Sequence, residues 1–405
     1  MIPTSARNTT LAVLAALLAT TLASAGGAAL PAAGPLAPPD ELGPFAVGRT
    51  TFVVVDPSRN DRTLTVDAWY PVDAEDAVGV PPSVYDLLFA GLPSEVAVDA
   101  PPVSVSGPFP LVVFSHGNNG IRFQSFFLME TLASHGFVVV APDHAGNTAL
   151  DLIFPGTPFE TRDRPLDISF VITRMLERNA DPSNPFFQAL DGIHIGVMGH
   201  SFGGFTTLAM KTGFEDVPPD PRVRVLVPIS PAAGGLSDAQ LASIERPEIV
   251  IGGTADVTVP IDPSNVRAFE LPVARPRYRV DVVNAGHNSF TNICDFFEVL
   301  LGAGLPPELL EFLLGNADEG CAPELIPIDE AHRVTALYTV SFLQRNLAFD
   351  LRYQQFLTPG FAEEQPVEFF VVPGAPSCGL GFELVFVLPP LVWLRRKLRR
   401  DVYPV

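Results

Sequence analysis

The sequence predicts an α/β fold: a mostly parallel central sheet with helices on both faces and an antiparallel N-terminal edge. Three observations carry this. Short β-branched runs alternate with longer amphipathic stretches through the middle of the chain, with no repeat of solenoid period. The first two strand-like runs, 51–56 and 64–70, precede any helix-like stretch and read as a hairpin at one sheet edge. Several later runs end in Gly, Ser, His or Asp, as expected where ligands gather beyond the carboxyl ends of parallel strands. The chain has 405 residues and is 47% hydrophobic, which is enough for one large core.

In chain order, Arg7, an apolar run 11–22 and Ala23-Ser24-Ala25 form an export signal over 1–25. A Gly/Pro/Ala-rich linker, 26–43, leads to a domain spanning 44–357. After the hairpin, strands are predicted at 111–115, 138–142, 193–199, 223–229, 248–252 and 277–283. Helices are predicted at 123–135, 165–177, 203–211 and 328–348. The segment 292–327, rich in Leu and Phe, reads either as a lid over the site or as apolar helices covering the sheet.

Residues 358–377 read as a stalk and 378–405 as a tail, in which an apolar run ends at Trp393-Leu394 before Arg395-Arg396-Lys397-Leu398-Arg399-Arg400. The tail resembles the C-terminal sorting tails of exported Gram-negative proteins. That resemblance implies processing or attachment near Cys378 and transient membrane attachment, with a periplasmic, cell-surface or secreted destination. Export permits disulfides. Cys294 and Cys321 bracket one loop-rich segment and are expected to pair, two buried thiols being the alternative. The formal charge of −20, with Lys and Arg concentrated only at the very end, excludes a nucleic-acid partner.

The chemistry concentrates at the strand ends. The run 193–198 enters Gly199-His200-Ser201-Phe202-Gly203-Gly204 and then a helix, the setting of an α/β-hydrolase nucleophile elbow, with Ser201 as nucleophile. Its order is serine, acid, histidine, so the base lies downstream. His332 falls inside a helical pattern, whereas His287 follows a strand in Asn284-Ala285-Gly286-His287-Asn288 and is expected as general base and acid. Asp256 closes the strand-and-turn Ile249-Val250-Ile251-Gly252-Gly253-Thr254-Ala255-Asp256 and is the expected acid, with Asp262 second. Asp220 and Asp238 follow no strand end.

For the oxyanion, the amide of Phe202 is one donor; the second is that of Asn118 in the loop Ser115-His116-Gly117-Asn118-Asn119-Gly120. His116 braces that loop, and no Cys/His spacing supports a metal site with His144. Asn119 and His144, the latter in a loop after a strand end, are expected to contact substrate.

Trp69-Tyr70-Pro71, Phe114-Ser115-His116-Gly117, Ala133-Ser134-His135-Gly136-Phe137-Val138 and the elbow together resemble the platelet-activating-factor acetylhydrolase branch of the α/β-hydrolases, from about residue 51 to 357. The resemblance implies a cofactor-free serine esterase for short or oxidised acyl groups. In animal members of that branch the acid follows the strand equivalent to 223–229; here Pro228-Ile229-Ser230-Pro231 holds none. The position of Asp256 is instead similar to that in bacterial polyester-hydrolysing cutinases and dienelactone hydrolases, although the latter use cysteine. The expected function is therefore a serine carboxylic-ester hydrolase acting on short-chain, lipid-type or polyester esters. The contrasting expectation is a surface-anchored, non-catalytic binding protein on a hydrolase scaffold.

Overall fold

A computed structural model describes residues 36–374. Among them, eleven strands form one sheet in the order β11-β10-β9-β8-β7-β5-β6-β2-β1-β4-β3. The N-terminal edge comprises β1 (Ala46–Asp56), β2 (Arg62–Val72), β3 (Pro82–Asp86) and β4 (Gly91–Asp99). The centre comprises β5 (Phe109–Ser115), β6 (Val138–Pro142), β7 (Leu190–His200), β8 (Val223–Ile229), β9 (Glu248–Gly253) and β10 (Arg277–Val282), with every neighbouring pair parallel. Strand β11 (Val367–Val372) closes the far edge, antiparallel to β10.

The hairpin is continuous, from the pair Ala46/Val72 to Asp56/Arg62. Burial explains the run-like central strands. Leu111 and Val113 face one apolar cluster while Val112 and Phe114 are equally buried without joining it, so both faces of β5 are covered.

The principal helices are α1 (Phe126–Ser134), α2 (Asp163–Ala180), α3 (Phe202–Thr212), α4 (Ile261–Glu270), α5 (Ile293–Leu300), α6 (Pro307–Asp318) and α7 (Ile328–Asn346). Helix α2 places Ile168, Val171, Ile172 and Met175 in the same apolar cluster as Phe205, Leu208 and Met210 of α3. This is the α/β-hydrolase architecture.

Several expectations are corrected. The described part of the expected stalk is folded: a short helix, Pro359–Ala362, precedes β11, and Phe369 of β11 stacks near Tyr278 and Tyr338. Its alternating Val367-Glu368-Phe369-Phe370 pattern is short and flanked by Pro366 and Pro373, which favoured a linker reading. The end of the expected linker also belongs to the domain, since Asp40 pairs with Arg333 at 2.8 Å and the amide of Gly43 donates to Ser134 Oγ at 2.8 Å. The export signal and the C-terminal tail lie outside the described residues.

Candidate active site

Ser201 sits between β7 and α3 with φ 58° and ψ −116°, a backbone that costs a non-glycine residue on the order of 1–3 kcal/mol. Neighbouring chains hold it there. Its amide donates to the Ile229 carbonyl at 2.8 Å, and its own carbonyl accepts from the amides of Phe205 and Ala232, each at 3.1 Å. The flanking glycines are steric requirements: a Cβ on Gly199 would overlap the Gly203 carbonyl, and one on Gly203 would overlap the Ser115 carbonyl. The first amides of α3 then point out from the elbow without helical partners of their own, a setting that favours negative charge.

His287 and Asp256 meet at this point. His287 Nδ1 lies 2.8 Å from Asp256 Oδ2, and His287 Nε2 lies 2.9 Å from Ser201 Oγ. With Nδ1–H donating to the carboxylate, Nε2 is free to accept the serine proton. Asp256 also takes the Val259 amide on Oδ1 at 2.7 Å, which fixes the carboxylate plane. Both side chains are buried. Of the competing residues, His332 stacks on Phe127 and bonds the Thr291 carbonyl at 2.9 Å, outside the cavity lining. Asp262 belongs to α4 and likewise does not line the cavity.

The loop after β5 is tied to the same centre through residues that sequence reasoning missed. Gly117 N–H donates to Gln124 Oε1 at 2.8 Å, Gln124 Nε2–H to His200 Nδ1 at 3.0 Å, and His200 Nε2–H to the His287 carbonyl at 2.8 Å. Burial, reinforced by the nearby His287, holds the His200 pKa well below the usual histidine range, so it is a neutral link. On the other side, Asn147 Nδ2 donates to Asn118 Oδ1 at 2.9 Å and more weakly to Asn119 Oδ1 at 3.3 Å.

Asn147 is anchored by Arg164, whose guanidinium also bonds the His116 carbonyl and Ser115 Oγ and lies 4.6 Å over the Phe202 ring. Arg164 is fully buried, and desolvation lowers its pKa to about 9. No sequence signal marked it, because an arginine at a helix start reads as a solvated end.

Asn118 and Asn119 line the cavity, and the Phe202 amide opens α3 beside it. His144 does not. It is fully buried beneath the loop, its Nδ1–H donating to Asp167 at 2.9 Å and its Nε2 accepting from Ser115 Oγ at 2.9 Å. Burial, with the Arg164 charge beside it, lowers its pKa to about 4. The expected substrate contact is thus a buried brace: the strand end does turn toward the site, but the histidine points under it.

The cavity above Ser201 and His287 has a volume of about 570 Å³. Helices α5 and α6, within the expected lid segment, supply Ile293, Phe296 and Leu300, and Leu309, Phe312 and Leu313, to its lining. Cys294 and Cys321 form a disulfide that ties the two ends of this segment.

The chlorophyllase family model matches residues 87–255. Cutinase 2 of Thermobifida cellulosilytica is 27% identical over 250 residues, covering 62% of this chain and 72% of that protein. Cutinase cut1 of Thermobifida fusca is 27% identical over 250 residues, covering 62% and 60%. A bis(hydroxyethyl) terephthalate hydrolase of Streptomyces coelicolor is 26% identical over 263 residues, covering 64% and 64%. The chain thus spans less than two thirds of the length of the latter two relatives. With the sheet order and the elbow, these similarities support an α/β-hydrolase superfamily for this chain.

Proposed function

We propose that the protein is an exported serine carboxylic-ester hydrolase working through a Ser201–His287–Asp256 triad. The observation that carries this reading is the unbroken chain of two contacts, Ser201 Oγ to His287 Nε2 and His287 Nδ1 to Asp256 Oδ2, with Ser201 and His287 lining the cavity. His287 takes the Ser201 proton as Oγ attacks the ester carbonyl, and the amides of Phe202 and Asn118 receive the oxyanion. The carbon–oxygen bond to the alcohol breaks as His287 returns its proton to the leaving oxygen. Water then repeats the sequence, releasing the acid and restoring Ser201. Asp256 fixes the imidazole tautomer and stabilises its cation.

The cutinase and terephthalate-hydrolase relatives support an ester, polymeric or small, as substrate. A phospholipid substrate of the platelet-activating-factor type is less well served. Arg122 on the cavity wall is already bound by Asp67 at 2.9 Å and Asp143 at 2.7 Å, which leaves it poorly placed to neutralise a phosphate. The non-catalytic reading predicts a missing triad or oxyanion member, and each expected residue is present. The disulfide is consistent with export into an oxidising compartment. Replacing Ser201 with Ala is expected to abolish hydrolysis of a short p-nitrophenyl ester and labelling by a fluorophosphonate while leaving thermal unfolding unchanged. Retained turnover in a folded Ser201→Ala protein refutes the assignment.

A further inference from the structure

The cavity lining is divided by chemistry. Beyond Asn118 and Asn119 of the loop after β5, the lining has an apolar cluster: Ile121 and Leu150, with Phe296 of α5 and Leu309 and Leu313 of α6. The turn carrying Leu150 is fastened to that loop, since the Ala149 amide donates to the Gly120 carbonyl at 3.0 Å. Helix α5 is fastened to the same side by Phe296, which packs against Phe123 and Phe126. On the side of His287 and Asp256 the lining is hydrogen-bonding: Thr258, Asn288, Asn316 and Glu319. These residues form their own lattice, with Thr258 Oγ1 donating to Glu319 Oε1 at 2.6 Å and Asn288 Nδ2 to Asn316 Oδ1 at 3.0 Å.

Ester chemistry gives the two walls different occupants. At the carbonyl carbon the acyl chain diverges from the leaving oxygen, so the wall away from His287, the apolar one, is left to it. The leaving alcohol stands at His287 Nε2, so it runs along the polar wall. Resting on the serine-esterase reading above, we propose that the site takes esters of a medium-length saturated acyl chain with an uncharged, hydroxyl-bearing alcohol. The chain lies beneath α5 and α6, and the alcohol's further hydroxyls bond Thr258, Asn288 or Asn316. The volume of about 570 Å³ lies within the range that encloses such a molecule. Glu319 on the polar wall opposes an anionic alcohol, and Arg122 is held by Asp67 and Asp143.

The test is a two-way series on the full chain: p-nitrophenyl esters from acetyl to dodecanoyl, and octanoyl esters of methanol, glycerol and glycerol phosphate. The expected result is a rise in kcat/KM of about fourfold for each methylene seated, up to the end of the apolar wall. Among the octanoyl esters, the glycerol ester is expected to exceed the other two by about tenfold. Leu313→Trp is expected to cut octanoyl turnover by about tenfold more than acetyl turnover. Phe296→Ala, a variant that cannot fail by overpacking, is expected to move the optimum to longer chains. A series that falls from acetyl, an equal loss of acetyl and octanoyl turnover in both variants, or a preference for the phosphorylated alcohol overturns the proposal. Absence of both fluorophosphonate labelling and turnover of any ester overturns the esterase reading instead.

Discussion

His200 Nε2–H donates to the main-chain carbonyl of His287 at 2.8 Å, so the residue before the serine holds the backbone of the residue that faces it. Through Gln124 the same imidazole reaches the Gly117 amide. The Ser201 turn, the His287 segment and the loop after β5 are therefore one hydrogen-bonded unit. Gln124→Ala is expected to lower kcat by about tenfold to a hundredfold with little change in KM, because the loss is one of geometry at the reacting atoms. Steady-state kinetics on a short ester, alongside a thermal melt, check this; a change confined to KM counts against it.

Asp256→Asn is expected to reduce kcat by about 10⁴-fold with the fold intact, since an amide at this position allows the wrong imidazole tautomer. Single-turnover measurements at several pH values read the effect. A loss below about tenfold would shift the orienting role to another carboxylate.

Arg164 is a buried cation serving the His116 carbonyl, Asn147 and Ser115, with Asp167 as its nearby counter-charge. Arg164→Met is expected to cost about 1–3 kcal/mol of stability for each buried acceptor left unpaired, Asp167 keeping its pairs with Arg59 and Arg62. Arg164→Lys is expected to fold but to lose kcat, since one ammonium cannot reach all the acceptors of the guanidinium fork. Urea unfolding and ester kinetics separate the two effects.

His144 is neutral in the folded protein, with a pKa lowered to about 4 by burial, whereas the unfolded chain protonates it near the ordinary value of 6.5. The unfolded state thus binds more protons between these values, so stability present above about pH 6.5 is lost as pH falls toward 4. The loss is on the order of 3 kcal/mol for this residue. His116 and His200, likewise lowered by burial, act in the same direction. Chemical denaturation across pH 4 to 7 in wild type and His144→Gln measures this; a pH-independent midpoint contradicts it.

The disulfide closes a loop between residues 27 apart. Cys294→Ser/Cys321→Ser is expected to destabilise the protein by about 3 kcal/mol. Hydrogen exchange is expected to quicken first in α5 and α6.

The positions of Ser201, Asp256 and His287, which the fold brings together, were legible because each ends a strand or follows one, and a parallel sheet gathers strand ends at one edge. The strands read best were those buried on both faces, such as 138–142 and 223–229, whose apolar runs have no competing interpretation. What escaped was set by tertiary partners. β3 and β4 contain Pro82, Pro93 and Gly91, which read as breakers but are tolerated in outer strands. The inward turn of His144 depends on Asp167 and Ser115, which come from other parts of the chain. Helices α5 and α6 gave an apolar composition without indicating which surface they cover.

Strand β11 runs opposite to β10, pairing Val367 with Val282 and Val372 with Arg277. Gly374, two residues past the end of β11, therefore lies toward the amino-terminal ends of the parallel strands, whereas Ser201 stands beyond their carboxyl ends. A support coupled near Gly374 is therefore expected to leave Ser201 on the far side of the sheet, turned away from that support.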